Sequence, residues 1–320
     1  MPTSRSAGRT SPASPGAPDP RPPAGGGSVR GGPARVWWLA ARPATLAVSV
    51  SAVLAGTAVA VHDGRVRTLP GLGALVVAIA IQVGTNYAND YSDHVRGADQ
   101  RRVGPLRAAS SGVVPPEQVR LAAFAAFGLA AVVGLAVGVA TGWALILLGA
   151  LAVAAGWLYT GGPRPYGYAG LGEVFVFVFF GLLATAGTTY VHELRVPPAA
   201  WVAGCATGML ACAVLAVNNL RDVETDAGAG KRTLAVRLGR PATRALIAAF
   251  MAGGLLAPVV AALAGWAPRR AALPVLAAPL ALLVVRATAS REPPVLVRAL
   301  KRTAELEVWW ALLWTLGLLL

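Results

Sequence analysis

The sequence predicts an all-α integral membrane protein built as one bundle of nine transmembrane helices. Hydrophobic residues make up 56% of the 320 positions and charged residues 13%, about half of the charged fraction of a soluble domain. The mean hydropathy is +0.60, and apolar stretches of about 20 residues, the length that spans a bilayer, recur along the chain. Two cysteines and three histidines exclude a disulfide scaffold and a histidine-rich metal centre.

Nine apolar segments qualify as spans, because each could satisfy its backbone polar groups as a helix inside the membrane. Residues 1–34 precede them and contain eight Pro and seven Gly without an aromatic residue, so we expect a disordered tail there. Residues 35–320 form the predicted transmembrane domain. The predicted spans lie near residues 43–61, 70–88, 117–139, 142–160, 171–190, 199–217, 241–264, 271–288 and 303–320.

Lys and Arg are distributed unevenly between the loops on the two sides of the membrane. The segment before the first predicted span and the loops after the second, fourth, sixth and eighth hold 19 of them, whereas the opposite loops hold five. By the positive-inside rule the richer side is cytoplasmic. This predicts a multi-pass protein of the cell membrane with its amino terminus inside and its carboxyl terminus outside. The net charge of +14 then indicates loops that face anionic membrane lipids, with no nucleic acid as partner.

The acidic residues are concentrated in two loops on this predicted cytoplasmic side. Four predicted spans separate the loops, and an even number of crossings returns the chain to the same face. We therefore expect both acidic clusters at the cytoplasmic ends of helices. Residues 86–107 and 218–239 together contain six of the 14 acids: Asp90, Asp93, Asp99, Asp222, Glu224 and Asp226.

The polar residues of each loop keep helical spacing. Asn89 and Asp93 are four residues apart, and Asn218, Asp222 and Asp226 repeat the same interval. Residues four apart share one face of a helix. Each set should therefore present its side-chain oxygens together.

Clustered carboxylates at the end of a helix repel one another and the helix dipole, and a hard divalent cation relieves that conflict. Mg²⁺ binds through one or two carboxylates plus substrate phosphates. Two acidic clusters on one face, each followed by cations, suit a diphosphate bridged by Mg²⁺ and held by basic side chains. The alternative is a pair of solvated loops whose charges pair among themselves. The cations are Arg101, Arg102 and Arg107 in the first loop and Lys231 and Arg232 in the second.

These motifs resemble those of the UbiA superfamily of intramembrane prenyltransferases, whose fold has nine transmembrane helices and two Asp-rich motifs. The strings NDYSDHVRGAD, RVGPLR, YTGGPRPYGYAGLGEVFVFVFFG and NNLRDVETDAGAGKRTLAVRLG are similar to the branch that prenylates 1,4-dihydroxy-2-naphthoate, and the resemblance covers residues 36–320. The first motif, Asn-x-x-x-Asp with a further Asp, matches Asn89, Asp93 and Asp99; the second matches Asn218, Asp222 and Asp226.

The chain departs from the family pattern at two places. Many relatives carry a basic residue where this chain has Ala44, so one contact to the diphosphate or at the entrance could be missing. The spacing from Asp93 to Asp99 is longer than in the hydroxybenzoate-type members. This longer spacing favours the naphthoate branch.

The resemblance implies that a polyprenyl diphosphate alkylates 1,4-dihydroxy-2-naphthoate, releasing diphosphate and CO₂ and giving demethylmenaquinone for menaquinone biosynthesis. Mg²⁺ would stabilise the diphosphate as it leaves. The implied catalytic residues and metal ligands are Asp93, Asp99, Asp222 and Asp226, with Asn89 and Asn218 as neutral ligands of the metal or its water. The implied diphosphate donors are Lys231, as a catalytic cation, and Arg101, Arg102 and Arg107.

Aromatic rings and one isolated acid complete the predicted site. Trp157, Tyr159, Tyr166 and Tyr168 surround the second cytoplasmic loop, where rings could stabilise an allylic cation in a dry cavity. Of these, Tyr159 is the predicted substrate-binding residue, and an interfacial aromatic belt is the alternative. Glu173 enters the fifth predicted span, where an ionisable group is a functional candidate; it could orient the acceptor hydroxyl or be a solvated side chain.

Other functions remain open from the sequence alone. The same fold could use another aromatic acceptor, such as 4-hydroxybenzoate, homogentisate, a chlorophyllide or haem. A CDP-alcohol phosphotransferase would need an Asp-Gly and Ala-Arg signature within one long acidic motif, which the sequence lacks. A cation-coupled membrane transporter would carry acids near mid-membrane in broken helices, whereas these acids follow the spans. Nothing in the sequence indicates an obligate protein partner.

Overall fold

A computed structural model describes residues 32–97 and 107–320 of the chain. Within these ranges the regular elements are helices and there is no strand, which confirms the all-α prediction. The predicted disordered tail falls almost entirely on residues 1–31, outside the described ranges. The helices are α1 (Pro33–Ala40), α2 (Pro43–His62), α3 (Thr68–Val95), α4 (Pro116–Thr141), α5 (Trp143–Leu158), α6 (Gly172–Glu193), α7 (Pro198–Arg221), α8 (Val223–Gly228), α9 (Leu234–Leu263), α10 (Arg269–Ala287) and α11 (Pro293–Leu319).

Among the described residues, seven helices are long and apolar enough to cross a membrane: α2, α3, α4, α6, α7, α9 and α10. Helix α5 is apolar but has 16 residues, about 24 Å of helix, which is shorter than the hydrocarbon core of a bilayer. Helix α11 has 27 residues, but charged side chains between Arg298 and Glu307 lower the hydropathy of its first half. Length and composition therefore support seven of the nine predicted spans, and α5 and α11 correspond to the other two.

Helix α7 is the most buried of these seven helices, because small residues along it let its neighbours approach closely. Its Gly204 and Gly208 face α6, where a Cβ on Gly181 would overlap the Cα of Gly208. At this contact α6 widens into a π-helical segment, Phe177–Leu183. The absence of side chains at the contact thus determines how closely α6 and α7 pack.

Two stacked indoles connect α11 to the core. The rings of Trp310 and Trp314 are buried, with centroids 5.6 Å apart. Trp310 Nε1 donates a hydrogen bond to Gly254 O of α9 at 2.9 Å, and Trp314 Nε1 donates to Ala55 O of α2 at 3.3 Å. A buried indole N–H needs such a partner, so α11 is joined to two helices by both packing and hydrogen bonds.

Three segments meet at one end of the bundle and bring polar residues together. They are the last turn of α3, the connection between α5 and α6, and the stretch from the end of α7 to α9. The Tyr168 hydroxyl donates to Asp93 Oδ1 at 2.7 Å, and Arg232 N donates to Tyr168 O at 3.0 Å. The two acidic loops therefore lie at the same end of the bundle, as the even number of predicted crossings requires.

We expect Gly181→Ala to destabilise the protein by about 1–3 kcal/mol, because overpacking the α6–α7 contact outweighs the better helix propensity of Ala, worth about 1 kcal/mol. Thermal unfolding in detergent measures the effect. The matched control is Gly128→Ala in α4, where an added Cβ meets nothing within 4 Å; it should be neutral or slightly stabilising. Equal midpoints for the two variants would contradict the close contact.

Candidate active site

Asp93 lies at the centre of a buried charge cluster. Lys231 Nζ is 2.6 Å from its Oδ1, and Arg107 Nη1 is 2.9 Å from its Oδ2. The Tyr168 hydroxyl donates to Oδ1 as well, and the Tyr168 ring lies under two cations, Lys231 at 4.8 Å and Arg96 at 5.0 Å. Asp93 is 1% exposed, so these partners are what allow its carboxylate to be buried.

The second motif is arranged around the end of α7. Arg221 donates from Nε and Nη2 to the two carboxylate oxygens of Asp222, at 2.7 and 2.6 Å, and from Nη2 to Asn218 Oδ1 at 3.0 Å. Asp226 N donates to Asp222 O at 2.8 Å, which continues the helical spacing into α8. Lys231 Nζ is 3.9 Å from Asp226 Oδ1. Since Lys231 also contacts Asp93, it joins the two motifs.

Eight of the predicted site residues, in addition to Tyr168, line one polar pocket of about 40 Å³. Glu173 is buried nearby but is not among the lining residues; its Oε1 accepts a hydrogen bond from Asn219 Nδ2 at 3.2 Å, and Asn219 lines the pocket. Asp99, Arg101 and Arg102 lie outside the described residues. The eight lining residues are Asn89, Asp93, Arg107, Tyr159, Asn218, Asp222, Asp226 and Lys231.

A second, larger cavity of about 950 Å³ begins beside the polar pocket and extends between the helices. The two share part of their walls: Asn89, Arg107, Tyr159 and Asn218 line both. Beyond this junction the wall of the larger cavity is mostly apolar, with side chains such as Phe179 from α6. A charged chamber therefore opens directly onto an apolar one.

The aromatic residues predicted for the site divide into two groups. Tyr159 and Tyr166 line the larger cavity with their centroids 5.5 Å apart, and Tyr168 contacts Asp93. Trp157 instead stacks on Phe124 at 4.7 Å, away from both walls.

Comparison with known proteins assigns the family. The model of the UbiA prenyltransferase family matches residues 49–317. The chain belongs to the UbiA prenyltransferase family. A relative from Mycobacterium leprae, named 1,4-dihydroxy-2-naphthoate octaprenyltransferase, is 44% identical over 86% of this chain and 93% of its own length. A relative of the same name from Escherichia coli is 37% identical over 89% of this chain and 96% of its own length. The resemblance drawn from the sequence motifs is thus confirmed.

Solved structures share the UbiA fold. A UbiA homolog from Aeropyrum pernix K1 in its apo state aligns with a TM-score of 0.61 at 14% identity, covering 85% of this chain and 96% of its own. A UbiA homolog from Archaeoglobus fulgidus bound to GPP and Mg²⁺ aligns with a TM-score of 0.58 at 15% identity, covering 86% and 98%. At these identities the likeness supports the fold of this UbiA member, not its substrates.

The polar pocket of this UbiA member has the donor set of a site for a hard divalent cation. Asn89 Oδ1 is buried without a hydrogen-bond partner among the described residues, a costly state that a cation would relieve. Burial raises the pKa of Asp226 to about 7; Lys231 opposes this rise, and Asp222 and Asp93 add to it, so a cation nearby would stabilise the Asp226 carboxylate. Within the described ranges no three His, Cys, Asp or Glu side chains form a metal-binding group by themselves.

Sequence reasoning missed four basic residues that line the larger cavity: Arg42, Arg221, Arg298 and Lys301. Burial lowers the pKa of Arg42 to about 10, and nearby Arg107 adds to this effect, so Arg42 stays charged at neutral pH. Arg221 Nη1 is buried without a partner among the described residues. Arg221 lies within the second motif, but the sequence gives no direction for its side chain or for that of Arg42.

We expect Asp93→Asn to lower the unfolding midpoint by roughly 5–10 °C, because it removes the carboxylate charge that buried Lys231 and Arg107 share. Thermal unfolding without ligands measures the effect. Glu117→Gln is the matched control: it removes a carboxylate from the exposed Arg120–Glu117 pair and should change the midpoint little. If the two variants unfold at the same temperature, the charge cluster around Asp93 does not hold the loops together.

Proposed function

We propose that this chain transfers a polyprenyl group from a polyprenyl diphosphate to 1,4-dihydroxy-2-naphthoate, releasing diphosphate and CO₂ and giving demethylmenaquinone. The names of the relatives at 44% and 37% identity support this reaction. The structural observation that carries it is the wall shared by the polar pocket and the large cavity. A substrate with an anionic head and a long apolar chain would place its head in the polar pocket and its chain in the large cavity. Its reacting carbon would then lie at the junction of the two.

In this proposal the polar pocket holds the diphosphate. Lys231 and Arg107 approach Asp93 from two sides and line the pocket, so an entering diphosphate would accept hydrogen bonds from both. When bound, Mg²⁺ would neutralise the charge that develops on the leaving diphosphate. We assign Mg²⁺ binding to Asp93, Asp99, Asp222 and Asp226, assisted by Asn89 and Asn218, and further diphosphate contacts to Arg101 and Arg102.

The step that this site must promote breaks the bond between the allylic carbon and the diphosphate oxygen, which leaves an allylic cation. Tyr159 lines both chambers and packs edge to face against Tyr166. Burial raises the pKa of both phenols, so they remain neutral and offer ring faces to the cation without a phenolate that could capture it.

Cations line the large cavity as well, which fits an acceptor that carries a carboxylate. Arg42, Arg221, Arg298 and Lys301 all contribute to the wall, with Asp90 as its one acid among the described residues. Dihydroxynaphthoate has such a carboxylate. Glu173 is assigned a positioning role, because it contacts Asn219 of the polar pocket instead of facing either chamber.

The membrane arrangement belongs to the same proposal. We infer nine spans, counting α5 and α11, in the cell membrane, with the acidic loops and the amino terminus on the cytoplasmic side and the carboxyl terminus outside. The excess of Lys and Arg in the loops on one side supports this orientation. The predicted tail of residues 1–34 is not part of this inference, because residues 1–31 lie outside the described ranges and α1 begins at Pro33.

We expect the purified protein to prenylate dihydroxynaphthoate with a polyprenyl diphosphate only when Mg²⁺ is present. Asp93→Asn and Asp222→Asn should each lower kcat at least about 100-fold, since each removes a charge that organises the diphosphate. Both effects are measured as the rate of product formation, with the product quantified by chromatography. Glu117→Gln, an exposed carboxylate far from the pocket in sequence, is the matched control and should keep full activity.

Two outcomes would contradict parts of this proposal separately. Turnover without any divalent cation, or full activity in both Asp variants, would exclude the metal and its ligands. Prenylation of 4-hydroxybenzoate in preference to dihydroxynaphthoate would keep the UbiA reaction and change the acceptor. Neither outcome depends on how the tail or the membrane orientation is assigned.

A further inference from the structure

One face of α6 lines the large cavity along nearly the whole helix. Its lining residues form neighbouring pairs that recur every four positions and end at a single residue: Phe175 and Val176, Phe179 and Phe180, Leu183 and Ala184, Gly187 and Thr188, then Val191. In an α-helix four residues overshoot one turn by about 40°, so a stripe with this interval would wind round the helix by roughly 160° over four steps. All of these residues nevertheless line the cavity, and a turn wider than an α-helical turn would reduce the winding.

The π-helical segment Phe177–Leu183 supplies this widening. Its hydrogen bonds close i→i+5 turns, which take more than four residues, so the rotation accumulated in the α-helical parts is cancelled. The contact of Gly181 with Gly208 of α7 holds the segment against the core. The result is a mostly apolar wall roughly 20 Å long, from the Tyr166–Phe175 ring stack at 3.9 Å to the far end of α6.

Three glycines from three helices enlarge the cavity along this wall: Gly134 of α4, Gly149 of α5 and Gly187 of α6. A Cβ on Gly149 would meet nothing within 4 Å, and on Gly134 and Gly187 the nearest atoms would be 3.7 and 3.4 Å away. None of the three has a positive φ. Neither close packing nor backbone geometry requires glycine at these positions. The missing side chains leave open space inside the cavity.

We propose that the prenyl chain of the donor lies along the α6 wall and that Gly134, Gly149 and Gly187 set the longest chain the cavity admits. This inference rests on the proposed function and adds its specificity determinant. The polar pocket fixes the diphosphate end, so a donor of greater length extends further along the wall toward Gly187. A short donor ends before it, and a large side chain at Gly187 would obstruct long donors alone.

The test compares a short donor, geranyl diphosphate, with a long one, octaprenyl diphosphate. The measured quantity is kcat/KM for the long donor divided by kcat/KM for the short donor. In Gly187→Phe we expect this ratio to fall at least about tenfold, because a ring replaces free space that only the long chain reaches. Gly149→Phe, from another helix, should move the ratio in the same direction. The matched controls are Val178→Phe on α6 and Leu147→Phe on α5, whose parent residues are 40% and 55% exposed on outer faces; they should keep the wild-type ratio.

Competition of both diphosphates against labelled geranyl diphosphate, with Mg²⁺ present, gives a second reading that needs no acceptor. If the wild type binds both donors but prenylates no naphthoate, the proposed function fails. The effect of the glycines on the length of the bound prenyl chain is still measured by binding. Unchanged long-to-short ratios in Gly187→Phe and Gly149→Phe, in turnover and in competition, would overturn the inference and mean that the chain leaves the cavity before these glycines. The activity retained with the short donor shows in the same experiment that each variant is folded.

Discussion

The ammonium of Lys231 lies between carboxylates from two separate motifs, 2.6 Å from Asp93 and 3.9 Å from Asp226. Charges at the buried end of an apolar bundle are stable only when they are paired. The last turn of α3 and the connection from α8 to α9 must therefore meet, whatever the loops between them do. This one requirement brings together residues 138 positions apart and creates the polar pocket.

The same pairing suits a site that exchanges partners. Lys231 and Arg107 share the carboxylate of Asp93. In the proposed reaction, an entering diphosphate would offer these cations a new acceptor, and a divalent cation would offer Asp93 a new counter-charge. Neither change leaves a buried charge without a partner, which is the costly condition in an apolar surrounding. The tyrosine rings at the junction add polarisable faces and no net charge. The arrangement thus tolerates the arrival and departure of highly charged groups.

A feature of the fold or the site could be predicted from the sequence when it depends on residues close together in the chain. The interval of four among Asn218, Asp222 and Asp226 predicted a common face, and all three line the pocket, because helical geometry is local. The contact of Tyr168 with Asp93 joins residues 75 positions apart, and no local pattern specifies it. Trp157 belongs to the same aromatic run but stacks on Phe124 of another helix, so composition alone could not separate rings that line the site from rings that pack between helices.

The small residues show the same limit more sharply. Their abundance in the sequence predicted close helix packing, and Gly181 fulfils that role against Gly208. Gly187, six residues later on the same helix, borders open cavity instead. The sequence contains glycine in both places. The two positions differ in what an added Cβ would meet: the backbone of α7 at Gly181, and the cavity at Gly187. Gly181 belongs to the π-helical segment Phe177–Leu183, whereas Gly187 lines the same cavity wall as Phe175. The charged end of the site is therefore specified by residues that are present, and the end that would receive an apolar chain is specified by side chains that are absent.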